Sequence, residues 1–205
     1  MTATAPTAIR DQLRLVKKER IMAEALRLFY THGFRGTSLD AIAEAMQVTK
    51  PFVYGVYDKK TDILFDISLR NITKSLDAID AGLAAEGNAR QRLAAAARNL
   101  TRVCIDNREA VAVFFREETA LEAEQLEVIN ELKGRFDTVL AAFLEEGERA
   151  GEFSLVDART AALAIGGMIS WSYVWYRPHG RLSAETLMDQ MAAYALRLAG
   201  AREPG

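Results

Sequence analysis

From Ile21 to Leu198 the apolar residues of this chain recur every three or four positions, and nowhere do they alternate with polar ones over a strand-length run. Only 4 Pro and 13 Gly punctuate the 205 residues, so the stretches between breakers are long enough for helices. The spacing therefore predicts an all-α fold of about nine helices. A first helix is expected from about Ile9 to His32, with Ile21, Ala25, Leu28 and Phe29 on one stripe and Gly33 as its stop. Residues 1–8 are small and polar and are expected to be disordered. Thr37 or Ser38 caps a short second helix, and Thr49 caps a third with Pro51 in its first turn, where a missing N–H is harmless. Longer helices follow from Asp58 to before Gly87, over 90–107 and 109–121, from about Glu122 to Ala150, from Asp157 to Arg177, and from Ser183 to Leu198.

Several function classes are disfavoured at once. The longest apolar stretch, Ala161 to Tyr176, is too short and too rich in Gly and Ser for a membrane span. The N-terminal MTATAPTAIR has no hydrophobic signal core, so a cytoplasmic protein is expected, and the single Cys104 has no partner for an internal disulfide. His32 and His179 are the only histidines. No Ser-His-Asp set, metal-ligand spacing or Gly-rich phosphate loop can be assembled, so neither an enzyme nor a cofactor nor a metal is expected. The formal charge of −2 hides an asymmetry: residues 1–65 carry 10 Lys/Arg against 7 Asp/Glu, and the remainder 16 against 21. A basic head on an acidic body suits a protein that meets phosphates with one end.

The two short helices joined at Met46-Gln47-Val48 are the chemically informative segment. Ile42, Ala43 and Val53 supply the small apolar contact that a crossed helix pair needs, leaving Thr49, Lys50, Pro51, Phe52, Tyr54 and Tyr57 outside. A hydroxyl, a cation and aromatic rings at one helix end suit phosphates and base edges. By composition alone, a DNA-reading helix and an ordinary hairpin with a polar face both remain open. Arg10, Arg14, Lys17, Lys18 and Arg20 add a basic approach, either a solvated face or a phosphate contact.

Arg20 to Leu64 resembles the DNA-binding domain of the TetR (tetracycline-repressor) family. The matching elements, in order, are Ala-x-x-Leu-Phe, Gly-Phe, Thr-Ser, Ile-Ala, Val-Thr, the Tyr54/Tyr57 pair and Lys60. The resemblance implies an HTH domain over 1–65, with the N-terminal arm, and a ligand-binding and dimerisation domain over 66–205. It also implies double-stranded operator DNA, a small-molecule effector and a second copy of the chain as partners. Thr37 sits where the family touches phosphate, and Thr49, Lys50, Pro51 and Phe52 sit at the reading end of the third helix. Tyr54 and Lys60 match further phosphate ligands. Gln47 replaces the usual turn glycine. It is either a strained left-handed residue, at a cost of about 1 kcal/mol, or a DNA contact. Tyr57 is a core ring whose hydroxyl is a further candidate donor.

In the remaining helices the helix over 157–177 is apolar on two sides, with Ala161, Ala164, Met168, Trp171 and Trp175 on one and Ala162, Gly166, Ile169, Tyr173 and Tyr176 on the other. The resemblance implies that this helix, through Ile169 and Tyr173, joins Leu187, Met191 and Tyr194 of the last helix in a dimer interface. Phe114, Phe115, Phe136, Met168, Trp171 and Trp175 are candidate effector-pocket walls or plain core. Arg116 would hold a carboxylate or phosphate, or pair with a neighbouring Glu. The segment Trp175-Tyr176-Arg177-Pro178, with Gly180 and Leu182-Ser183, resembles family members that sense acyl-coenzyme A esters. A ligand-responsive repressor is therefore expected; a ligand-independent regulator of the same fold is the alternative.

Overall fold

The structure, a computed structural model, describes residues 5–201, with side chains from Arg10 onward. The regular structure among its described residues is all helical: α1 (Ala5–His32), α2 (Leu39–Ala45), α3 (Lys50–Tyr54), α4 (Lys60–Leu83), α5 (Ala89–Asp106), α6 (Arg108–Glu117), α7 (Ala123–Arg149), α8 (Ala158–Ser170), α9 (Ser172–Trp175) and α10 (Ala184–Leu198), with a 3-10 turn at Glu118–Ala120. The caps are those the residue types demand. Ser38, Asp157 and Ser183 each accept a hydrogen bond from the backbone N–H three residues on, and Asn88 forms a reciprocal capping box with Gln91. α1 starts at Ala5, ahead of the expected Ile9; residues 1–4 lie outside the described part. The helix expected over 157–177 is two. Trp171, with ψ of −13°, flattens the turn between α8 and α9.

The chain divides into two compact units, and the division is not a single cut in sequence. The first takes the chain up to Leu69 together with Ala112–Leu126; the second takes Arg70–Val111 and the residues from Glu127 on. In the first unit Ile21, Ala25, Phe29, Ile42, Val53, Ile63 and Leu64 form the buried centre, and Phe34 meets the Phe29 ring edge-on at 5.1 Å. In the second, α5 packs against α8, α9 and α10, burying Leu93, Leu100, Ile165, Ile169, Leu187 and Met191. α4 and α5 approach so closely that a Cβ on Gly82 would overlap the Ala96 backbone. The Phe136 ring lies over Gly166, whereas Gly167 faces open space.

Candidate nucleic-acid interface

The α2–turn–α3 segment is built by local chemistry. Met46 N–H bonds back to Ile42 O and Val48 N–H to Ala43 O (both 3.0 Å), closing α2 and reversing the chain. The residue between them, Gln47, has φ of 55°, the left-handed conformation that glycine adopts without strain. α3 follows from its N-cap Thr49, whose side chain makes no cap bond and is exposed. Val53 is fully buried and anchors α3 against Ile42 and the core; being only five residues long, α3 depends on that anchor. Gln47, Thr49, Lys50, Pro51 and Tyr54 are left exposed and Phe52 half-buried. The ammonium of Lys17 lies 5.1 Å from the centre of the Phe52 ring and the Arg20 guanidinium 5.9 Å. Arg10, Arg14 and Lys17 share a groove of about 440 Å³ with Pro51, Phe52 and Gly55, so part of the basic approach borders α3.

Asp40, in the first turn of α2, was not singled out by the sequence. Its Oδ2 lies 2.7 Å from Lys50 Nζ, and its Oδ1 accepts from the Tyr54 hydroxyl at 3.2 Å. The hydrogen bond from Lys50 holds the Asp40 carboxyl below the usual carboxylate range, and Asp40 in turn raises Lys50. Desolvation, then the bond to Asp40, raises the Tyr54 phenol.

Three residues expected at DNA are turned inward. The Thr37 side chain is buried and its hydroxyl donates to Gly33 O at 2.9 Å, holding the loop before α2. Tyr57 is buried and donates to Asp66 at 2.8 Å, and Asp66 also pairs with Lys18 at 2.9 Å. Lys60 reaches the carbonyls of Phe34 (2.7 Å), Thr37 (2.9 Å) and Arg35 (3.4 Å), with its ammonium 4.5 Å from the Phe34 ring centre. An ammonium has three donors, and three carbonyls take them. The segment 112–126 closes on the same loop and on the start of α4. Glu117 accepts from Phe34 N–H at 3.4 Å, Glu122 pairs with Lys59 at 2.7 Å, and Gln125 donates to Asp62 at 2.9 Å.

The pocket and interface candidates fall differently from the expectation. Phe114 is buried in the first unit and Phe115 is exposed, their rings edge-to-face at 5.3 Å, while the Arg116 guanidinium stacks 5.5 Å over Tyr30. In the second unit Phe136 is buried and Met168 half-buried, but Trp171 is 59% exposed and Trp175 44%. Ile169, Leu187 and Met191, expected at a partner, are buried in the second unit's own core. Tyr173 is half-buried under Trp171, with ring centres 5.8 Å apart, and Tyr194 is exposed. The two apolar faces over 157–177 are thus exchanged: the Ile169 side is core, and the Trp171–Trp175 side is outside. Periodicity reveals two apolar faces but not which one the chain buries itself.

Two short crossed helices around a left-handed turn, with donors and a basic helix beside the second, define a DNA-binding protein of the helix-turn-helix class. Residues 21–67 match the family described as bacterial regulatory proteins, tetR family, and residues 86–199 match the tetracyclin repressor-like C-terminal domain. The chain belongs to the TetR family of transcriptional regulators. It is 26% identical over 196 residues to the HTH-type transcriptional repressor KstR2 of Rhodococcus jostii, covering 94% of this chain and 96% of that protein. A tetR-family regulatory protein from Rhodococcus RHA1 superposes with a TM-score of 0.86 at 27% identity, covering 91% of this chain and 98% of the other. AibR, solved in complex with isovaleryl coenzyme A and operator DNA, superposes with a TM-score of 0.78 at 25% identity over 91% and 100% of the two chains. No helix among the described residues is long and apolar enough to cross a membrane.

Proposed function

We propose that the chain is a cytoplasmic homodimeric repressor whose two α3 helices read a near-palindromic operator and which an apolar or acyl-coenzyme A effector releases. The observation that carries the DNA half is the exposure of Gln47, Thr49, Lys50, Pro51 and Tyr54 on and before α3, with Phe52 half-buried among them. The observation that supports the dimer is the outward face of α8 and α9. Leu163, Ala164, Gly167, Trp171, Val174 and Trp175 lie on it at helical spacing and are all exposed, as are Tyr194 and Leu198 on the adjoining α10. A lone copy would present that apolar stripe to water, where a second copy would cover it.

For the effector, the ligand in AibR motivates trying acyl-coenzyme A esters first. Within the second unit, Asn71 Oδ1 and Ser172 Oγ are buried without a hydrogen-bond partner among the described residues, groups that a ligand's own donors would satisfy. The ligand acts only if it prefers a body conformation that misplaces the DNA-binding units. α4 is the natural lever, since its residues up to Leu69 belong to the first unit and those from Arg70 to the second. Calorimetric titration of isovaleryl- and longer acyl-coenzyme A, with and without operator, tests this. An inducer must bind more weakly to the DNA complex by the factor with which it weakens DNA binding, about 5–150-fold for coupling of ~1–3 kcal/mol. Equal affinity in both titrations rules a ligand out as inducer.

A further inference from the structure

Asp40 turns both of its carboxylate oxygens to donors of α3. An acid in the first turn of α2 is ordinary, because it complements the helix dipole. That role does not require its two oxygens to be divided between Lys50 and Tyr54, 10 and 14 residues further on. Building on the DNA-binding reading above, we propose that Asp40 is a specificity-determining residue that withholds Tyr54 from indiscriminate phosphate contact and orients Lys50 for a base edge.

The argument rests on counting protons. A tyrosine hydroxyl donates once, so while Tyr54 donates to Asp40 it donates to no phosphate. Any DNA phosphate that takes Tyr54 replaces one anion with another and leaves its own charge facing the Asp40 carboxylate. Contact with arbitrary DNA therefore gains little from this donor. Lysine has three N–H groups, so Lys50 can keep Asp40 and still donate to a base acceptor in the major groove. The bond at 2.7 Å biases its ammonium toward Asp40 and away from the phosphates. The sequence-independent, electrostatic part of binding is suppressed and the base-reading part is kept.

The test compares two duplexes: one selected by the wild-type protein from a random pool, and a scrambled duplex of the same length. Affinities are measured for wild type, Asp40→Asn, Tyr54→Phe, the double variant, and Glu44→Gln. Glu44 lies four residues further along the same face of α2 and is exposed, so its substitution removes the same charge while leaving the bonds from Asp40 to Lys50 and Tyr54 in place. Asp40→Asn is expected to tighten the scrambled duplex by about ten-fold and the selected one by no more than about two-fold, lowering discrimination about five-fold or more. The gain on scrambled DNA should vanish in the Tyr54→Phe background, whereas Glu44→Gln should move both duplexes equally. Equal effects of Asp40→Asn on the two duplexes, matching Glu44→Gln, overturn the proposal and leave Asp40 as surface charge. Equal weakening of both with a lowered melting temperature overturns it in favour of a purely structural role. If wild type selects no duplex at all, the DNA-binding reading itself fails, a result distinct from either.

Discussion

Lys60→Met separates an internal clamp from a phosphate ligand. Methionine keeps the apolar stem against the Phe34 ring but removes the ammonium shared by the carbonyls of Phe34, Arg35 and Thr37. A charge-assisted hydrogen bond contributes about 1.5–3 kcal/mol. The Arg35 bond is long and exposed, and water partly replaces the other two, so a net loss of about 2 kcal/mol is reasonable for the set. That loss falls on the loop that starts α2, so it should raise local opening of α2 and α3 by about thirty-fold, each 1.4 kcal/mol being a factor of ten. Amide hydrogen exchange over residues 33–55 reads this directly. DNA affinity should fall with the slope of log K against log salt unchanged, because no phosphate contact is lost. Unchanged exchange together with a slope shallower by about one unit would show that Lys60 binds phosphate in the complex and would refute the inward reading.

Trp171→Glu, on the exposed face of α8 and α9, should convert dimers to folded monomers in light scattering, while Ile169→Glu, in the core, should unfold the second unit; a Trp171→Glu dimer as stable as wild type excludes that face. Gly82→Ala should destabilise by about 2–3 kcal/mol although alanine favours a helix by about 1 kcal/mol, because its Cβ meets the Ala96 backbone; a more stable variant in urea denaturation would contradict the close approach. Burial pushes the Cys104 thiol up to about 12, so at pH 8 iodoacetamide should label it only after denaturation, and rapid native labelling would show that its helix opens.

What the sequence disclosed was local. The helix periods, a cap at Thr37 or Ser38 and helix starts near Asp157 and Ser183 depend on residues a few positions apart and have counterparts in the structure, where Ser38 is the cap; of the two readings of Gln47 that the resemblance left open, the left-handed one matches its φ of 55°. What it concealed was non-local. Lys60 finds its acceptors 23 to 26 residues away, on backbone carbonyls that carry no sequence signal. Tyr57 finds Asp66, and Asp40 finds Tyr54, only once α2, α3 and α4 are packed. The return of 112–126 into the first unit follows from packing that no hydrophobic period announces. Ile169 and Trp171 sit two positions apart on the same apolar stretch, yet one is core and the other surface, a choice made by the helices around them.

Footprinting of the wild-type protein on its selected duplex tests the central claim most directly. The account predicts two protected half-sites related by a dyad, with centres about 34–36 Å apart, one turn of DNA. It also predicts that Lys50→Ala alters which bases are preferred, because Lys50 stands on the exposed end of α3. Absence of protection at low salt, with and without acyl-coenzyme A, or a Lys50→Ala variant with unaltered base preference, would contradict it.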